Sequence, residues 1–107
     1  NWLRHVQDVR NHHQDWLYEL PEDTLRLDAL CELNVLEQCL NVCQTTVVQD
    51  AWGRGQEVVV HGWVYGLHNG LIHDMRMSVA SPEALQSVYN QALQELKDRY
   101  AQRIASA

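Results

Sequence analysis

Phenylalanine is absent from this chain of 107 residues, whose large aromatic side chains are four tryptophans and four tyrosines. Every large aromatic contact therefore carries a polar handle, an indole N–H or a phenol O–H, that needs a partner when buried. Basic residues are also scarce. Eight Lys and Arg stand against fourteen Asp and Glu, for a net charge of −6, and they form no run. A phosphate-binding surface needs clustered cations, so a nucleic-acid partner is not expected. No apolar stretch approaches the roughly 20 residues of a membrane span, so neither a membrane partner nor a signal peptide is expected. The three cysteines, Cys31, Cys39 and Cys43, are an odd count on or near one helix. They do not read as a disulfide framework. They suggest a reducing compartment, the cytoplasm or an organelle matrix.

Several catalytic patterns are missing as well. There is no G-x-S-x-G, no G-x-x-x-x-G-K-[ST] and no G-x-G-x-x-G. The zinc spacings C-x2-C and H-x3-H do not occur. GRGQ, residues 53–56, is too short for a phosphate loop and follows a helix rather than a strand, so it reads as a helix end.

What is present is ordinary globular composition, 46% hydrophobic and 21% charged. The length allows one domain at most and burial of roughly two-thirds of the unfolded surface. Residues 1–20 predict one amphipathic helix, with Trp2, Val6, Val9, His13, Trp16 and Leu20 on one face. Pro21 ends it. Asp23 or Thr24 can cap a second helix running to about Cys43. Its apolar arc is wide and leaves a polar stripe through Asn34, Glu37, Gln38, Asn41 and Gln44, as in a helix buried on two sides. Thr45 or Thr46 can cap a short third helix that Gly53 and Gly55 stop.

VVVHGWVY, residues 58–65, predicts a strand, nearly all apolar as where both faces of a sheet are covered. Asn69-Gly70 signals a hairpin turn. Leu71, Met75, Met77 and Val79 then alternate with Asp74, Arg76 and Ser78, as in an edge strand with one wet face. Ser81 and Pro82 open a last helix with an apolar stripe of Leu85, Val88, Tyr89, Ala92, Leu96 and Tyr100. Its tail, QRIASA, is expected to fray. A lone hairpin is marginally stable, so the strand 58–65 is expected to belong to a larger sheet. The chain begins at Asn1 inside a helical pattern and without Met, so upstream sequence is expected.

No self-contained active site emerges from these residues. Cys39 and Cys43 lie one helical turn apart and read as core, since cysteine is among the most buried residue types. Adjacent His12 and His13 should point to different helix faces, with His13 a hydrogen-bonded core or interface histidine. His61 and His73 can face each other across the hairpin, while His5 and His68 look exposed. Glu19, Glu22 and Asp23 flank a proline as a solvated turn.

Two long stretches, LCELNVLEQ at 30–38 and AWGRGQEVVVHGWVYGLHNG at 51–70, together with NWLRHVQDVR at 1–10, carry a resemblance. The chain resembles the C-terminal half of a bacterial-type β-carbonic anhydrase, over most of its length to about Val79. The resemblance implies an α/β fold, a mostly parallel sheet flanked by helices, of which this chain is a single incomplete domain, helix-helix-helix-strand-strand-helix. The Trp-rich first helix would pack on the sheet. It implies a zinc lyase that reversibly hydrates CO2 to bicarbonate and works as a dimer or tetramer. Zinc there lowers the pKa of bound water toward neutrality. The family's C-x-D-x-R and H-x-x-C ligand patterns are absent here, so zinc would be held by an upstream half, the expected partner of this piece. No catalytic or metal-binding residue transfers to this chain, which alone should be inactive. One residue does carry over: Tyr65, of HGWVYG, would help hold a regulatory bicarbonate, its phenol donating to the anion. The alternative is that Tyr65 packs at a strand end. Two other readings stand beside this one: a non-catalytic interaction or assembly module on the same scaffold, and a small metal protein using Cys39, Cys43 and histidines.

Overall fold

The computed structural model describes residues 2–65 and 70–106. Seven elements follow one another: α1 (Trp2–His12), α2 (Gln14–Glu19), α3 (Asp23–Cys43), α4 (Thr46–Gly53), β1 (Val60–Tyr65), β2 (Ile72–Val79) and α5 (Leu85–Ser106). The fold is mixed α/β, helices followed by two antiparallel strands and a final helix.

Helix α3 is the axis of the molecule. It packs against α1, α2, α4, α5 and both strands. Ala29, Leu33, Leu36, Cys39 and Cys43 are its buried positions, spaced three and four apart as one helical face requires. Leu33, Leu36 and Cys43 are wholly sequestered. Against them lie Met75, Met77 and Val79 of β2 and Leu85, Tyr89, Ala92, Leu96 and Tyr100 of α5.

The single helix expected over residues 1–20 is two. The chain breaks at His13, whose φ of −110° and ψ of 18° leave the helical basin. Neither proline nor glycine sits there, so the cause is tertiary: the break lets the buried His13 ring meet Glu37 on α3. Among the described residues α1 packs on α2 and α3 and does not touch the sheet, contrary to the expected packing.

Local signals explain the other ends. Glu22, not Asp23 or Thr24, is the N-cap of α3 and offers no side-chain bond. Asp23 instead takes Arg26 one turn on, at 3.2 Å. Thr45 caps α4, its hydroxyl accepting from the Val48 amide. That helix closes in a Schellman motif: Gln56 N–H donates to Ala51 O, Gly55 N–H to Trp52 O, and Gly55 takes the left-handed φ of 78°. At the start of α5, Ser81 Oγ accepts from the Ala84 amide. Residues 82–84 form a turn first, and the regular helix begins at Leu85. Helix continues through the tail to Ser106.

The strands pair from Val60↔Val79 to Tyr65↔Ile72. Between Gly62↔Met77 and Trp63↔Asp74 the register shifts, with Met75 and Arg76 inserted on β2. Arg76 adopts φ of 61° and its amide donates to the Asp74 carboxylate. Two inserted residues preserve the parity of β2, so Met75, Met77 and Val79 all point inward. Leu71 lies ahead of the strand and is exposed. The expected turn residues 66–69, His68 included, lie outside the described residues.

Candidate functional site

Alternation along β1 sorts its residues. Val60, Gly62 and Val64 face α3, while His61, Trp63 and Tyr65 face away from the core. Trp63 is 53% and Tyr65 60% exposed. Within this chain α3 covers one face of this strand and α1 docks elsewhere, so the described residues do not supply the second covered face expected of a larger sheet. Two aromatic residues on an open sheet face are an unpartnered surface. Tyr65 ends the strand, and its hydroxyl lies 3.6 Å from where a Cβ on Gly70 would sit. Gly70 keeps φ at 67°.

His61 and His73 do not meet. The bulge puts His61 opposite Ser78, its Nδ1 2.7 Å from Ser78 Oγ, and His73 opposite Val64. His61 lies beside Trp63 instead, ring centroids 5.7 Å apart.

Two carboxylates on α3 anchor the interior. Glu37 is met by His13 Nε2 at 2.8 Å and accepts from the Tyr89 hydroxyl. Burial alone would raise its pKa, but the hydrogen bonds from His13 and Tyr89 outweigh this and hold it below its ordinary value. Burial first, and then the bond to Glu37, push the Tyr89 phenol up. Glu32 accepts from Tyr100, and Arg99 donates to it at 3.0 Å. Burial again leads in raising the Tyr100 phenol. Sequence reading placed Glu37 in a polar stripe and missed Glu32. The usable signal was a histidine and two tyrosines on apolar stripes, each of which needs an acceptor once buried. His13 does sit in the core and His12 is exposed, but the two rings do not diverge: they stack at 4.7 Å.

Cys39 and Cys43 are both buried, and Cys31 is exposed. Burial, then the neighbouring Cys43, push the Cys39 thiol up to about 12. Cys43 is also raised by burial. Zinc takes thiolates in fours with histidine or carboxylate. Here burial disfavours the thiolate form of both cysteines, and no three His, Cys, Asp or Glu side chains converge among the described residues. The described residues do not fit a zinc centre.

A family model for carbonic anhydrase matches residues 1–72. The chain is 38% identical over 90 residues to a carbonic anhydrase of Emericella nidulans, covering 83% of this chain and 40% of that protein. Its backbone matches a Coccomyxa β-carbonic anhydrase, solved in complex with acetazolamide, at a TM-score of 0.74 and 36% identity. That match covers 80% of this chain and 38% of the other. The chain belongs to the β-carbonic anhydrase family. It spans about 40% of the length of these two relatives. No helix among the described residues is long and apolar enough to cross a membrane.

Proposed function

We propose that this chain is the scaffold half of a zinc-dependent β-carbonic anhydrase that interconverts CO2 and bicarbonate. The observation that carries the reading is the agreement of family, fold and open sheet face. A β-carbonic anhydrase backbone is matched at a TM-score of 0.74 over 38% of its length, yet β1 leaves Trp63 and Tyr65 exposed among the described residues. A partner half that covers that face and pairs along the second edge of β1 would complete the sheet and hold the zinc, since the thiols and histidines among the described residues do not converge. α3 and the strands supply the rigid frame, and homo-oligomer contacts, dimer or tetramer, would bury further surface. Tyr65, at the end of β1, is the residue we assign to a regulatory bicarbonate pocket, where its phenol donates to the anion.

The test is zinc content and stopped-flow CO2 hydration of the protein encoded by the gene that carries this chain, beside the 107-residue chain alone. Zinc and hydratase activity in the first, and neither in the second, is the expected result. A zinc-free, inactive encoded protein that still assembles would replace this reading with a non-catalytic assembly module.

A further inference from the structure

We propose that Cys39 and Cys43 form a dithiol site for trivalent arsenicals, entered from the depression between α3 and β1. The two cysteines lie one helical turn apart, which places their Cβ atoms about 5–6 Å apart on one face. Both are buried positions on the core-facing side of α3, so the two side chains enter the same interior. Cys39 forms part of the wall of a cavity of about 280 Å³, lined also by Val35 and Val42 of α3 and by Val60, Gly62 and Trp63 of β1. Gly62 lets β1 approach that wall closely: a Cβ there would lie 3.8 Å from Cys39 Cβ and 3.3 Å from a Val35 methyl. Cys43, wholly buried, lies one turn further along.

The chemistry of the pair selects among thiol reagents. Divalent zinc needs thiolates and further donors, and neither is provided. A disulfide needs Cβ atoms about 3.5–4.5 Å apart, closer than this spacing allows without bending the helix. An arsenic atom placed between the sulfurs lengthens the bridge and removes that conflict. With an organic arsonous acid, R–As(OH)2, two As–S bonds form and two As–O bonds break. Each thiol proton leaves with a hydroxyl as water, and arsenic stays trivalent. The net reaction consumes two protonated thiols and releases two waters, so its balance requires no free thiolate, while the thiolate remains the attacking form. The apolar wall of Val35, Val42, Val60 and Trp63 suits an aryl substituent on the arsenic.

Phenylarsine oxide added to the folded encoded protein, followed by denaturation, alkylation and peptide mass mapping, decides the matter. The expected result is one arsenic on the segment carrying Cys39 and Cys43, with both protected from alkylation, Cys31 alkylated, and release of the adduct by a small dithiol. Cys39→Ala and Cys43→Ala should each abolish the adduct, and Cys31→Ala should retain it. Reaction only after denaturation, alkylation of Cys39 or Cys43 in the arsenical-treated protein, or an adduct surviving both alanine variants would overturn the proposal. The mapping on the unsubstituted protein stands even if an alanine variant fails to fold.

Discussion

His13 and Glu37, 24 positions apart in the chain, meet at 2.8 Å in the interior and bind the α1–α2 arm to α3. Their side chains are 6% and 13% exposed, so the contact is poorly screened by solvent. Tyr89 reaches the same carboxylate from α5. One glutamate thus joins three helices.

Replacing that carboxylate should be costly. Glu37→Gln keeps the shape but leaves His13 and Tyr89 with a weaker acceptor, a loss of about 1–3 kcal/mol for a partly unsatisfied buried group. Urea denaturation of the encoded protein at pH 7 measures it. An effect no larger than that of an exposed carboxylate, such as Asp23, would contradict the role.

The same residue sets an acid dependence. The Glu37 carboxyl is held below its ordinary value of 4.5, so the folded state binds fewer protons there than the unfolded state. Its stabilisation is fully present above pH 4.5 and is lost as the pH falls through the lower, folded value. Stability of Glu37→Gln should therefore fall less steeply below pH 4.5 than that of the parent. Parallel slopes in a denaturation series would show that Glu37 does not carry the effect.

Gly62 has no room for a side chain. A Cβ would stand 3.3 Å from a Val35 methyl and 3.6 Å from Met77 Cβ, both fixed in the α3–sheet interface. Gly62→Ala should destabilise by about 1–3 kcal/mol through overpacking, read as a lower midpoint in urea. Stabilisation instead would mean that the interface yields.

Arg76 pays for the bulge in β2 with a φ of 61°, a conformation that costs a non-glycine residue about 1–2 kcal/mol. Arg76→Gly removes that strain but adds freedom to the unfolded chain, leaving a net gain of up to about 1 kcal/mol. Arg76→Val should lose stability. The pair distinguishes backbone strain from loss of the 3.8 Å Arg76–Glu95 contact, which both substitutions remove.

Tyr65→Phe tests the bicarbonate assignment. Loss of one hydrogen bond to an anion, about 1.5–3 kcal/mol, should weaken the response of activity to bicarbonate roughly 10–100-fold. Stability and zinc content should stay unchanged, because Tyr65 is exposed. An unaltered bicarbonate response would return Tyr65 to simple packing.

Periodicity, capping residues and turn chemistry are properties of neighbouring residues, and they were legible. The long helix ending at Cys43, the Thr45 cap, the positive φ at Gly55 and the inward Met75, Met77 and Val79 all follow from local pattern. The buried state of Cys39, Cys43 and His13 follows from their apolar stripes. Long, specific stretches such as LCELNVLEQ also identified the family.

Only the tertiary structure decided where α1 ends, which acceptors the tyrosines take, and which histidines meet. The break at His13 answers to Glu37, which sits 24 residues away. That His61 lies opposite Ser78 rather than Arg76 depends on two residues inserted opposite the Gly62–Trp63 step, while His73 pairs with Val64 on the turn side of it. The bare outer face of β1 reflects α1 docking on α3. Each outcome is a choice among partners distant in the chain, made by packing and by the need to satisfy buried polar groups. Local preference, worth a few tenths of a kcal/mol per residue, does not determine such choices.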